Sequence, residues 1–277
     1  MKDPLYLLDG YSLIYRSYFA FIRNPLFNPA GKNTQAVFGF FRTLLALFEE
    51  KAPKYFAVIM DSQIPTFRHN LYKEYKATRE KTPQDLHDQI PVIEEICTAI
   101  GIPWIRKNGY EADDIIASYS ALCEKEERPC YIITGDKDLL QLVRGATRIL
   151  KPDKGAYQEL GPAEVKALWG VRPDQIVDYL SLIGDQADNV PGVRGIGPKT
   201  AEKLLSRYET LDGVYGAIEE ITGSEKKKLE EGEKSAFLSR DLIVLKEDLT
   251  ELPLPGSFSV SSLSADKAMG RASCRER

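Results

Sequence analysis

Short apolar runs and longer amphipathic segments alternate along the first half of this chain. Leu5-Tyr6-Leu7-Leu8 is continuously apolar and ends in Asp9-Gly10. Residues 35–50, QAVFGFFRTLLALFEE, set Val37, Phe40, Phe41, Leu44, Leu45 and Phe48 at helical spacing. YFAVIM, 55–60, is a second apolar run and ends in Asp61. PVIEEICTAI, 91–100, predicts a helix with Pro91 at its first position. Pro103-Trp104-Ile105 predicts a short strand, 112–126 a helix, and CYIIT, 130–134, a strand ending at Gly135-Asp136. Strands alternating with helices predict a parallel or mostly parallel sheet covered on both faces. From about residue 160 the strand signals fade, and helices are predicted at 162–169, 173–184, 198–208, 211–221 and 224–247. Within the last, SEKKKLEEGEK reads as a solvated helical face. After residue 250 the chain is Pro- and Ser-rich and linker-like, and the tail DKAMGRASCRER has no periodicity. The pattern divides into an α/β core at 1–160 with an excursion at about 62–90, a helical part at 161–250, and a linker and tail at 251–277.

Composition narrows the class without deciding it. The chain has 277 residues, 43% hydrophobic and 28% charged, enough for a real core in one large unit or two modest ones. No run approaches the ~20 apolar residues of a membrane span. MKDPLYLLDG does not read as a signal peptide, because an acid interrupts its short apolar stretch. Cys97, Cys123, Cys130 and Cys274 show no ligand spacing and are expected as reduced thiols in the cytoplasm.

The acids change the picture. GYEADDIIASY sets Glu111, Asp113 and Asp114 within four residues, directly before an apolar run. Burying like charges at that density is costly unless something offsets it. Three apolar strands also end in acid: Asp9, Asp61, and Asp136 with Asp138 two residues on. In open α/β sheets ligands bind at the carboxyl ends of the strands. Capping of a helix start accounts for one acid at a time, not for three in GYEADD or two in GDKD. GDQADN adds Asp185 and Asp188, which one helical turn would place on one side. An all-carboxylate set with no nearby His or Cys pair suits hard divalent cations, Mg²⁺ or Mn²⁺, and not zinc. GDKD and GDQADN lack the twelve-residue loop of a calcium-binding EF-hand. The net charge of −4 then hides a partition: of the 41 acids, setting these nine aside leaves 32 against 37 Lys and Arg.

Two further stretches suit a nucleic acid. In PTFRHNLYKEYKATREK a helix would align Arg68, Tyr72, Lys76 and Arg79 in one stripe flanked by Tyr75, matching a single-stranded backbone and its bases. A solvated surface helix is the alternative. In VPGVRGIGPKTA, Gly192, Gly195 and Gly197 precede a helix start carrying Lys199, where a phosphate could approach free N–H groups. The spacing is not that of a P-loop, and a plain tight turn is the alternative.

Taken in order, LLDGYSLIYRSYFA, VIMDSQIPTFRHNLYKEYKATR, GYEADDIIAS, ITGDKDLLQLV and GDQADNVPGVRGIGPKTA resemble the 5′-nuclease (flap endonuclease) superfamily. The likeness is greatest to the 5′→3′ exonuclease domains found at the N-terminus of bacterial DNA polymerase I, and it runs from about residue 4 to about 250. The resemblance implies a mixed, mostly parallel, PIN-like sheet flanked by helices, a helical arch, and a C-terminal helical domain with a helix–hairpin–helix variant. It implies two-metal hydrolysis of a phosphodiester near the 5′ end of nicked or branched DNA, flaps and RNA-primed strands included, in replication and repair. By motif position, Asp9, Asp61, Glu111, Asp113, Asp136 and Asp138 would hold or orient one Mg²⁺ (or Mn²⁺), and Asp114, Asp185 and Asp188 would serve the second. Lys76 and Arg79 would reach the scissile phosphate, with Arg68, Tyr72 and Tyr75 along the arch. Gly192, Gly195, Gly197 and Lys199 would grip the duplex backbone, with a K⁺ at the hairpin. A bacterial, cytoplasmic monomer follows, nucleoid-associated during repair, with a polymerase domain in cis or in trans. Gln35 departs from the family pattern, which more often has Gly there, in a loop expected to touch substrate. No polymerase follows within these residues, so a stand-alone nuclease, a truncated polymerase or an isolated domain is expected. A related metal-dependent RNase is the rival enzyme reading. A non-catalytic junction binder is the other, and its mark would be a missing cluster acid; none is missing.

Overall fold

The computed structural model describes residues 2–153 and 156–260; residues 261–277 of the expected tail lie outside the described residues. Five parallel strands form the sheet in the order β3-β2-β1-β4-β5, with β6 antiparallel at the β5 edge. They are β1 (Leu5–Asp9), β2 (Tyr55–Met60), β3 (Trp104–Arg106), β4 (Cys130–Ile133), β5 (Thr147–Asp153) and β6 (Ala156–Leu160). The chain winds outward from β1 through β2 to β3, then returns to the other side of β1 as β4. That reversal leaves a crevice at the carboxyl ends of β1 and β4, where loops must part.

Side chains alternate across the pleat, and both faces are buried. Leu5 and Leu7 of β1 enter one apolar cluster, and Tyr6 and Leu8 the other. The second cluster is covered by α1 (Gly10–Ala20), α2 (Gln35–Lys51), α4 (Gln84–His87) at its margin, and α5 (Ile90–Ile100), while α3 (Phe67–Leu71) is tied by Arg68 to Asp114 and to Leu242 O. Gln89, just before α5, supplies the missing cap of α2: its Oε1 accepts from Ala36 N–H at 2.9 Å and Val37 N–H at 3.3 Å.

The first cluster is covered by α6 (Ala112–Lys125) and continues into the helical half: α7 (Pro162–Trp169), α8 (Ile176–Ile183), α9 (Pro198–Tyr208), α10 (Leu211–Gly216) and α11 (Gly223–Ile243). One apolar core therefore joins Leu5 of the central strand to Ile243 at the end of α11. Among the described residues no helix is long and apolar enough to cross a membrane.

Residues 251–260 correct the linker expectation. Phe258 and Val260 are buried, Tyr119 Oη donates to Pro253 O at 2.9 Å, and Val260 N–H donates to Lys54 O at 2.9 Å. The prolines there shape a strap that returns to the sheet edge. Gln35 is corrected likewise. It is 1% exposed at the start of α2, with Nε2 donating to Tyr18 O, and lies in no open loop.

Candidate active site

The strand ends deliver their acids as the topology requires. Asp9 closes β1 and starts α1: Oδ1 accepts from Ser12 N–H at 3.1 Å and Oδ2 from Thr134 Oγ at 2.8 Å. Asp61 follows β2, and its Oδ1 accepts from Ala112 N–H at 2.7 Å, capping α6 from outside. Asp136 follows β4 and accepts from Asp138 N–H at 3.0 Å. Asp138 opens a 3₁₀ turn, and one of its oxygens is buried without a partner. Carboxylate oxygens of Asp138, Asp185 and Asp188 lie within 4.8 Å of one another. Asp9, Asp61, Asp136, Asp185 and Asp188 line one cleft of about 1180 Å³ with Asp113, Lys76, Arg79 and Lys137.

Burial and mutual repulsion make ionisation costly here. Burial raises the Asp9 carboxyl to about 7, assisted by the charges of Asp136 and Asp61. Burial likewise pushes Asp61, Asp113, Asp136 and Asp138 upward, the last three reinforced by neighbouring carboxylates. The cations answer from the rim. Lys76 Nζ lies 2.9 Å from Glu111 and 3.6 Å from Asp188, Arg79 pairs with Asp188, and Lys137 Nζ lies 2.9 Å from Asp185. Burial alone would lower the Lys76 ammonium, but Glu111 and Asp188 raise it on balance. Counting eight carboxylates against these three cations leaves an excess of five negative charges when all are ionised. Two divalent ions would nearly cancel it. The orphaned oxygen of Asp138, inside an all-oxygen cluster, fits such ions.

A 5′-3′ exonuclease N-terminal resolvase-like domain model matches residues 4–170, and a 5′-3′ exonuclease C-terminal SAM-fold model matches 171–266. DNA polymerase I of Treponema pallidum is 48% identical over 249 residues, 90% of this chain. The chain belongs to the 5′-3′ exonuclease family. DNA polymerase I of Bacillus subtilis is 39% identical over 93% of the chain. The chain spans only 25% and 29% of those two relatives' lengths. In fold it resembles T5 5′-exonuclease solved with divalent metal ions (zinc), with a TM-score of 0.73 at 20% identity over 88% of this chain and 90% of that one. It also resembles the catalytic core of Rad2 in complex with DNA substrate, with a TM-score of 0.62 at 17% identity over 99% of this chain and 87% of that one. The mixed, mostly parallel sheet flanked by helices with a C-terminal helical part is the fold of this family.

Several residues of this exonuclease-family chain sit otherwise than the motifs suggested. Asp185 and Asp188 converge through a tight turn, not a helix: Asp185 and Val190 exchange backbone bonds of 2.9 and 2.7 Å. Asp138 groups with them, not with Asp9 and Asp61. Asp114 is fully buried and chelated by Arg68 at 2.7 and 2.8 Å, so both its oxygens are already engaged inside the protein.

The arch is no continuous helix. α3 stops at Leu71, Tyr72 is extended, and Lys76 adopts φ 57°. Tertiary bonds override the helical period there: Lys76 N–H donates to Asp188 O, and Asn189 Nδ2 to Glu74 O. The single stripe is therefore not formed. Arg68 and Tyr75 are buried, with Tyr75 Oη donating to Glu111 at 3.1 Å, and Tyr72 is half-buried against the core. Burial and the Glu111 charge push the Tyr75 phenol well up, so it stays a donor.

Gly192 is also buried. A Cβ there would stand 2.3 Å from Gly184 N, so this glycine permits close backbone packing and is shut away from solvent. Gly195, Gly197 and Lys199 remain accessible at the start of α9, with Lys228 Nζ donating to Gly195 O. Sequence reasoning missed Lys137 and Thr134. Both flank the motif acids, so a cation and a hydroxyl set directly beside GD were the available signal.

Proposed function

We propose that the chain is a structure-specific 5′→3′ exonuclease and 5′ flap endonuclease that hydrolyses phosphodiesters near the 5′ end of nicked or branched DNA, RNA-primed strands included. The convergence of Asp9, Asp61 and Asp136 from three adjacent strands with the Asp185–Asp188 turn, beneath Lys76 and Arg79, carries this reading. Asp9, Asp61, Glu111, Asp113 and Asp136 would hold one Mg²⁺ (or Mn²⁺), and Asp138, Asp185 and Asp188 the second. Bound ions of this kind supply an activated water and charge stabilisation at the leaving oxygen.

The chain's own residues do the rest. Lys76 and Arg79 rest on Glu111 and Asp188 and are poised to exchange those carboxylates for a phosphate, which accepts the same donors. Tyr75 fixes the Glu111 carboxylate by its hydroxyl. Gly195, Gly197 and Lys199 at the α9 start offer a backbone phosphate N–H groups and one ammonium, with a K⁺ bound at the turn. The protein acts as a monomer in the bacterial cytoplasm and at the nucleoid during repair, with a polymerase domain in cis or in trans. The test is incubation of a 5′-labelled flap duplex with and without Mg²⁺, followed by product sizing. Mg²⁺-dependent release of short 5′ products is expected; an intact label in Mg²⁺ and in Mn²⁺ overturns the reading.

A further inference from the structure

Arg68 stands apart from the other cations of its segment. Its side chain is 1% exposed, and its guanidinium meets three distant parts of the chain. Nη1 and Nη2 chelate Asp114 at 2.7 and 2.8 Å. Nε donates to Leu242 O at 2.7 Å and Nη2 to Val244 O at 3.2 Å, at the end of α11. Nη1 also reaches Glu111 at 3.5 Å. Asp114 in turn accepts from Glu111 N–H at 3.1 Å and Lys246 N–H at 3.0 Å. The strap beyond α11 is sewn to α6 by Ser118 Oγ, which donates to Lys246 O and accepts from Leu249 N–H. One planar, multi-donor guanidinium thus joins the start of the arch segment, the first turn of α6 and the last turn of the helical half, a task a lysine cannot match.

We propose that the Arg68–Asp114 pair is a buried clasp that keeps Glu111 and the 72–79 turns in register with the helical half, which makes Arg68 a positioning residue and not a DNA contact. Every nitrogen of its fork is already engaged inside the protein, so none faces a phosphate. Glu111 begins α6, has its N–H held by Asp114, and takes Tyr75 and Lys76 on its carboxylate. Tyr75 and Lys76 lie only a few residues beyond the end of α3 at Leu71. Loosening the clasp therefore releases both ends of the Glu111 contact at once.

The proposal rests on the nuclease reading only for its turnover readout; amide hydrogen exchange over 72–79 does not depend on it. Arg68→Lys and Asp114→Asn should speed exchange at 72–79 and slow single-turnover cleavage at saturating DNA by about tenfold or more. Duplex affinity in Ca²⁺ and its salt slope should stay at wild-type values. A salt slope reduced by about 0.9 in the uncharged Arg68→Gln, with unchanged exchange, would make Arg68 a phosphate contact and overturn the clasp. Wild-type exchange and turnover in both variants would overturn it too. Should these variants fail to fold, Asp114→Glu keeps the charge but lengthens the carboxylate arm and misaligns the chelate, and unchanged exchange at 72–79 with unchanged turnover in that variant counts against the clasp. Faster exchange in proteins that cut no DNA, wild type included, would sink the nuclease reading and leave the clasp standing.

Discussion

Replacing Asp9 by Asn should stabilise the metal-free protein above neutral pH while destroying cleavage. Asp9 is 7% exposed, and burial with the charges of Asp136 and Asp61 lifts its carboxyl from 3.8 to about 7. The folded state therefore holds this proton more tightly than the unfolded chain. Stability contributed by the protonated form is complete below the unfolded value near 4, declines as pH rises, and is gone above about 7. The full displacement corresponds to about 4 kcal/mol, shared with the acids that repel Asp9. Asn caps a helix as well as Asp does, so the α1 start survives. Rearranging the Thr134 hydrogen bond returns about 1 kcal/mol. A net gain of about 3 kcal/mol is expected at about pH 8, or roughly 6–12 °C in Tm for a chain of this size.

The assay is thermal unfolding by circular dichroism in EDTA, wild type beside Asp9→Asn, across acidic to alkaline pH. The difference should be near zero at about pH 4, open through the window up to about 7, and stay constant above it. Millimolar Mg²⁺ should shrink or reverse the difference, because it binds the folded wild type. A mutant less stable than wild type in EDTA at alkaline pH, or a difference independent of pH, refutes the assignment of an electrostatic burden to this site.

The other expectations concern function. Asp136→Asn should abolish cleavage yet leave duplex binding in Ca²⁺ largely intact; wild-type turnover at saturating Mg²⁺ would remove it from the metal ligands. Arg79→Ala should slow turnover more than it weakens duplex affinity, since it frees Asp188 but loses a donor to the phosphate; lost affinity with unchanged turnover would reassign it to general DNA binding. Lys137→Met should tighten divalent-metal binding, measured by calorimetry, because it removes the ammonium that competes for Asp185; weaker binding would show that Lys137 supports the ion's site. Lys199→Ala should lower the salt slope of duplex affinity by about 0.9, and an unchanged slope would make the hairpin structural.

Much of this protein is legible along the chain because local periods report local physics. Continuous apolar runs mark β1, β2 and β4, since strands buried on both faces carry no polar alternation. The helices Gln35–Lys51, Ala112–Lys125 and Pro198–Tyr208 follow their amphipathic spacing. The acids at the strand ends fall together in one cleft because the carboxyl edge of a parallel sheet gathers whatever follows each strand. β5 and β6 were not read: β6 is a largely exposed edge strand with little apolar content, so pairing with β5 determines it.

Contacts between distant segments decided the rest. The period of residues 68–79 calls for a helix, but bonds to Asp188 and Glu111 bend the segment and bury Tyr75. Arg68 and Asp114 are 46 positions apart, and each alone reads as a ligand or a DNA contact. Only folding shows that they satisfy one another, which leaves Asp114 paired inside the protein. Residue type and spacing determine which charges converge near the site. Which of those charges are left for metal and phosphate is settled in three dimensions, because a buried charge takes the nearest partner that restores its lost hydration.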